Sequence, residues 1–536
     1  MIDTTNTDRE GHPTRLQKGV DLPTTPWWRD ATCYEIYVRS FADANGDGVG
    51  DLAGVTSRLP YLARLGIDAI WLTPFYASPQ IDHGYDVMDH RAVDPLFGDL
   101  EAFDVMLAAV HDCGMRLLID IVPNHTSDRH PWFQAALAAG AGNDERDRYW
   151  FRPGRGRFGG TPPNNWKSMF GGPAWSRVPD GDWYLHLFDG HQPDLNWRRG
   201  DVGDEFESIL RFWLDRGVDG IRVDVAHALW KPPDLPDATR RNPTPYLDLP
   251  GVHDIYRRWH ATLRDYPGDR MGIAEAWVAT PQAMARYIRP DELQQAFNFH
   301  WLLAPWSAAA FRRVITETFA AVDPVNASPT WVLSNHDVQR HVSRYGGGRR
   351  GLARARAATL TMLGLPGSAY LYAGEELGLP QVDVPVESRQ DPEWRRGDGR
   401  GRDGCRVPLP WSGRTQPYGF SSPGAAAPWL PQPDYWGALS VAAQEDDPNS
   451  TLHFYRQILA SRRELAPTLA REVTLLPTSP GVLSFARQPG FVCVLNCSSR
   501  RARLPVAGDL LISSCDESAV RGGMIDADTA AWFMTR

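Results

Sequence analysis

Eight short apolar runs, separated by stretches of helical spacing or by long loops, constrain this chain more than any other feature. They cover residues 33–41, 67–75, 115–123, 220–227, 271–277, 295–299, 330–337 and 368–374. Short, bounded and rich in β-branched residues, they read as strands buried on both faces, as in a parallel sheet. Apolar spacing at 55–65, 100–113, 205–216, 254–264, 307–321, 353–363 and 451–463 predicts helices among and after them. Alternation of strand and helix marks an α/β fold, and eight strands close into a (β/α)8 TIM barrel.

The alternation breaks twice. Residues 125–197 are rich in Gly, Pro, Trp, Arg and Asp, have little periodicity and are too many for an ordinary βα loop, so an inserted domain after strand three is expected. Residues 376–449 make a second excursion of similar composition. Past residue 466, strand-like segments at 482–486, 491–495 and 509–513 predict a small C-terminal β-domain over 466–536. The barrel would then comprise 27–124 and 198–465, preceded by a flexible polar tail of residues 1–26.

A net charge of -9 gives no attraction for nucleic acid or anionic lipid. No apolar run has transmembrane length, and the polar start lacks the core of a signal peptide, so a cytoplasmic protein with neither nucleic-acid nor membrane partners is expected. Six cysteines without CxxC spacing read as reduced thiols rather than disulfides or zinc ligands. The 21 Trp and 17 Tyr suit sugar faces, although ordinary packing accounts for most of them. Oligomeric state leaves no mark.

Within 220–227, Arg222 and Asp224 alternate with Ile221, Val223 and Val225 and so share one face of the strand. Alone, such a pair is a packing ion pair. Yet Asp82 and Tyr85 follow strand two, Asp120 and His125 end strand three, Glu275 ends strand five, and His336 and Asp337 end strand seven. The C-terminal ends of barrel strands are where catalytic groups collect. Three carboxylates, Asp224, Glu275 and Asp337, with an arginine and histidines, point to acid/base chemistry on a hydroxyl-rich neutral substrate. A retaining glycosidase needs an ionised nucleophile, which Arg222 beside Asp224 would favour, and a second carboxyl that keeps a proton, here Glu275. Metal-assisted hydrolysis through His125 and His336 lacks an HxH or HExxH spacing.

Residues 120–125, 220–227, 273–277 and 334–337 resemble the four signature regions of the α-amylase family of glycoside hydrolases, in order and on the predicted strands. Segments 192–196 and 45–51 resemble further motifs of its α-glucosidase and oligo-1,6-glucosidase branch. The resemblance runs from about residue 27 to the C-terminus. It implies Asp224 as nucleophile, Glu275 as general acid/base and Asp337 as a third carboxylate that binds sugar hydroxyls. Asp82, Tyr85, His125, Arg222 and His336 match positions that hold the terminal glucose. Arg406 resembles the arginine that closes the pocket opposite Asp82, although its loop departs from the commoner family pattern.

The loop 43–51 carries oxygen donors at alternating positions, with glycines allowing tight turns. Alone it is a turn or a cation loop. Its likeness to the family's calcium site implies a structural Ca2+ held by Asp43, Asn45, Asp47, Val49 and Asp51, with no organic cofactor. The activity implied is that of an exo-acting retaining α-glucosidase on a small oligosaccharide, with a transglucosylase or isomerase of the same fold, or an oligo-1,6-glucosidase, as rivals. A catalytically dead transporter subunit is disfavoured because all three carboxylates are present and no anchor is seen. Val225 accords with α-1,6 activity and Ala226-His227 with α-1,4; the balance favours α-1,4.

Overall fold

A computed structural model of the protein describes residues 25–397 and 401–535; the expected tail, apart from residues 25 and 26, lies outside them. The predicted strands form one parallel sheet: β1 Thr32–Ile36, β2 Ala69–Leu72, β3 Arg116–Ile121, β4 Gly220–Val223, β5 Met271–Ala274, β6 Gln295–Ala296, β7 Thr330–Val332 and β8 Ser368–Tyr372. Their order is β6-β5-β4-β3-β2-β1-β8-β7. A parallel bridge between Phe297 and Thr330, with Asn298 N–H donating to the Thr330 carbonyl at 3.0 Å, brings the two edges together. Each strand is shorter than its apolar run, so Asp224, Glu275, His336 and Asp337 lie on the loops beyond, while Asp120 and Arg222 stay within β3 and β4.

The alternation of side chains sorts the core into two layers. Cys33, Ala69, Trp71, Leu118, Met271, Ile273, Val332 and Tyr370 pack together inside the barrel. Tyr34, Ile36, Ile70, Leu72, Leu117, Ile119, Ile221 and Val223 belong to the larger core shared with the surrounding helices. Those helices include α1 Leu52–Leu65, α2 Leu100–Asp112, α3 Gly200–Asp215, α4 Val252–Arg264, α5 Ala308–Val322, α6 Gly348–Gly364 and α7 Thr451–Leu465. Short polar side chains begin several of them: Asp51, Asp99, Ser307 and Ser450 each accept a backbone N–H in the first turn. Removing such a cap costs about 1 kcal/mol.

Between β3 and β4, strands Phe151–Pro153, Asp182–Leu185 and Trp175–Arg177 form a three-stranded antiparallel sheet behind helix Pro131–Ala139. After α7, a five-stranded antiparallel sheet packs Thr529–Met534 against α6. The Trp532 indole N–H donates to the Leu360 carbonyl at 3.0 Å. Among the described residues no helix is long and apolar enough to cross a membrane.

Candidate active site

Register explains what collects at the mouth of the barrel. Glu35 pairs with Trp71, and Asp120 with Arg222, all on the inner face. Arg222 therefore lies inside the barrel beneath the opening, 1% exposed, with its guanidinium 5.1 Å from the Trp71 ring centre. Three carboxylates converge on it. Nη1 donates to Asp120 Oδ1 and Asp224 Oδ1, both at 2.7 Å, and Nη2 pairs with Glu275 Oε2 at 2.9 Å. One cation among three acids in a dry site leaves an excess of negative charge, which protons relieve. Burial pushes the Asp120 carboxyl up to about 7 against the pull of Arg222. Burial likewise raises Asp224, again with Arg222 opposing.

Asp224 is the first residue past β4 and Glu275 the first past β5. Val225, between Asp224 and the loop, has φ 46°, a left-handed conformation that a β-branched residue avoids. Its N–H donates to Glu275 Oε2 at 2.8 Å, which ties the two loops together. The other Glu275 oxygen accepts the Trp277 indole N–H at 2.9 Å.

Across the opening, Asp337 stands beside His336, whose Nε2 lies 3.3 Å from Asp337 Oδ2 and 2.8 Å from the Tyr85 hydroxyl. His336 Nδ1 faces buried Glu35 at 2.5 Å. Burial alone would raise the Asp337 carboxyl, but His336, Arg402 and Arg406 outweigh it and hold it below the usual carboxylate range. Tyr85 also donates to Asp120 Oδ2 at 3.0 Å, which links this side to the Arg222 cluster. The turn that presents Asp82 and Tyr85 needs Gly84: its φ is 109°, and a Cβ there would sit 2.7 Å from the Pro74 carbonyl.

The sequence expectation of an Asp82–Arg406 closure is corrected by the structure: Arg402 makes that contact. Arg402 Nη2 reaches Asp82 Oδ1 at 2.8 Å and Asp391 Oδ1 at 2.8 Å, while Nη1 reaches Asp337 Oδ1 at 3.0 Å. Arg406 is fully buried one layer deeper, donating to the His336 carbonyl at 2.8 Å and pairing with Asp337 Oδ1 at 2.9 Å. Both arginines sit in one Arg- and Gly-rich loop, where no local pattern marks which will face the cavity. Gln192 holds the other Asp82 oxygen at 3.0 Å and lies 3.2 Å from His125 Nε2. Burial drives the Asp82 carboxyl up to about 6 against Arg402, and the His125 imidazole down to about 4.

A cavity of about 330 Å³ opens here, lined by Asp82, Tyr85, His125, Asp224, Glu275, His336, Asp337 and Arg402. Arg222 and Arg406 lie behind its wall. Met169, Phe170 and Phe188 from the insertion, with Val225, Leu247 and Trp277, supply an apolar rim. Sequence reasoning missed Arg402, Gln192, Glu35 and, Val225 apart, this rim. The 192–196 motif was the signal for Gln192; nothing local singled out the others.

The loop 43–51 lies after β1. Asp43 accepts the N–H groups of Gly46 and Gly48 at 2.6 and 2.9 Å, Asp47 that of Val49 at 2.8 Å, and Asp51 that of Gly54 at 2.6 Å. Gly48 has φ 89° and abuts the Ala427 carbonyl. Among the described residues no three His, Cys, Asp or Glu side chains gather as a metal cluster. A carboxylate has about four lone-pair sites, so these keep some for a cation. Such a site would rest on at most two of the carboxylates, completed by the Asn45 side chain and the Val49 carbonyl.

The catalytic-domain model of the α-amylase family matches residues 35–471. A probable α-glucosidase of Rhizobium meliloti is 38% identical, over 90% of this chain and 91% of its own. An oligo-1,6-glucosidase of Parageobacillus thermoglucosidasius is 35% identical over 82% and 84%. The crystal structure of an α-glucosyl transfer enzyme superposes with a TM-score of 0.86 at 37% identity, covering 95% of this chain and all of that one. The chain therefore belongs to the α-amylase family and is a glycoside hydrolase.

Proposed function

We propose that the protein is an exo-acting, retaining α-glucosidase that removes terminal non-reducing glucose from maltose and short oligosaccharides, with α-1,4 linkages favoured. The observation that carries this reading is the placing of Asp224 and Glu275 on the two terminal nitrogens of one guanidinium, at the wall of a pocket closed behind by Asp82, Arg402 and Asp337. One guanidinium gathers both carboxyls at the same wall, and retention needs such a pair roughly 5–5.5 Å apart. Asp224 attacks the anomeric carbon, the glycosidic C–O bond breaks, and its electron pair takes the proton from Glu275. Water then adds to the same carbon, gives its proton to Glu275 and releases Asp224. Asp337, kept ionised by its cationic neighbours, accepts sugar hydroxyls.

Five carboxyl side chains, those of Asp82, Asp224, Glu275, Asp337 and Glu393, and the Arg402 guanidinium line the cavity, which favours a neutral sugar over an anionic one. Val225 is on the wall, where one methyl or hydroxyl shifts selectivity by about 1–3 kcal/mol. The loop 43–51 is proposed to bind Ca2+ as a structural ion, and the six free cysteines suit the reducing cytoplasm. Incubation with maltose, isomaltose, sucrose and trehalose, with every product identified, tests the reading. Glucose from maltose at the first turnover is expected. Cleavage of a substrate blocked at its non-reducing end would overturn exo-action, and a strong preference for isomaltose would overturn the linkage. The apolar rim, together with the likeness to a transfer enzyme, favours a second reading in which a sugar acceptor competes with water; di- or trisaccharide products would identify it.

A further inference from the structure

We infer that Trp277 is a positioning residue that aims one particular oxygen of Glu275, Oε1, at the glycosidic bond. The inference rests on the reading of Glu275 as general acid. Oε2 of that carboxyl is already occupied: it accepts the Val225 N–H at 2.8 Å and pairs with Arg222 Nη2 at 2.9 Å. An oxygen whose two lone-pair sites both receive donors has no place for a proton. The transferable proton therefore belongs on Oε1, the oxygen that accepts the Trp277 indole N–H at 2.9 Å. Indole N–H is a donor only, so it takes one lone pair of Oε1 and leaves the O–H to turn elsewhere. Glu275 and Trp277 both line the cavity, so an O–H on Oε1 can turn toward a sugar held there.

The indole is itself held in place. Its ring stacks on Phe299 with centroids 3.8 Å apart and planes 11° from parallel, and Phe299 stacks in turn on Phe297 inside the barrel. A side chain backed by the barrel core keeps its hydrogen bond in a narrow range of orientations, which is what proton delivery to a defined atom requires. Apolar packing alone would not place the Nε1 edge of the indole against a carboxylate.

The test compares kcat/KM for maltose and for p-nitrophenyl α-glucoside in wild type and Trp277→Phe. That ratio reports the first chemical step, in which departing glucose needs the proton and nitrophenolate does not. We expect Trp277→Phe to lower the value for maltose about tenfold and that for the aryl glucoside less than about twofold. Equal losses on both substrates, or no loss on maltose, would overturn the inference. Glu275→Gln keeps the two failures apart: if it leaves maltose turnover intact, the general-acid reading has failed instead. Should Trp277→Phe not fold, Phe299→Leu removes the backing of the indole while keeping its N–H, and the same selective loss on maltose is expected.

Discussion

The two ends of β4 bear opposite charge arrangements. Just before the strand, buried Asp219 is a single carboxylate surrounded by donors: the Arg270 guanidinium at 2.5 Å, the His111 ring at 2.8 Å and the Arg116 guanidinium at 3.1 Å, with the Leu117 N–H at 3.0 Å. At the other end a single guanidinium, Arg222, serves Asp120, Asp224 and Glu275. The first cluster offers its one carboxylate more donors than it needs. The second is short of positive charge, and burial raises its Asp120 and Asp224 carboxyls against the pull of Arg222. A barrel's N-terminal face serves stability and its C-terminal face chemistry; here the same strand shows both, separated by four residues.

The largest effect should come from breaking the acidic end. Asp224→Asn and Glu275→Gln are each expected to lower turnover about a thousandfold or more with the melting temperature kept or raised, because each removes one of three crowded acids. Azide should restore turnover only where Glu275 becomes Ala or Gly. Asp219→Asn should do the reverse, sparing kcat of the folded enzyme and lowering stability by about 2–3 kcal/mol. That is less than the roughly 3–5 of a fully buried pair, since Arg116 and His111 are partly solvated. A stable, inactive Asp219→Asn protein would erase the contrast.

Next in size is pocket closure. Arg402→Ala should reduce kcat/KM for maltose about a hundredfold by freeing both Asp82 and Asp337, and short-chain specificity should weaken with it. Steady-state kinetics on maltose and longer maltooligosaccharides measures both.

Smaller is the pH response. With Asp82 and Asp120 raised to about 6 and about 7, the folded state keeps protons that the unfolded chain releases near pH 4. Their contribution to stability is full below about pH 4 and is lost as pH rises through about 6 to 7. Urea unfolding at pH 5 and pH 8 should show a steeper fall in wild type than in Asp120→Asn. Activity has the other sign: Asp224 must be ionised, so its acid limb should lie above the ordinary carboxylate range.

The smallest expected effect belongs to a third group of acids, those of loop 43–51. Adding Ca2+ at tenfold over its Kd should stabilise by about 1.4 kcal/mol, and Asp47→Ala should abolish that gain. A melting curve insensitive to calcium, chelator and Asp47→Ala alike would make this loop a turn held by its own amides.

The eight strands, the helices and the ordering of polar residues at strand ends were legible in the sequence because each depends on local periodicity. That Arg222 and Asp224 meet also followed, since i and i+2 share a strand face. What periodicity cannot supply is depth and partnership. Register inside the closed barrel sinks Arg222 beneath the opening and pairs it with Asp120, 102 positions away. Barrel closure likewise brings Glu35 to His336 across 301 positions and Arg402 to Asp82 across 320. Arg402 and Arg406 are equally charged and four residues apart in one loop, so nothing local could rank them. Only the path of that loop over the barrel mouth decided that Arg402 faces the sugar cavity and Arg406 props Asp337 from behind.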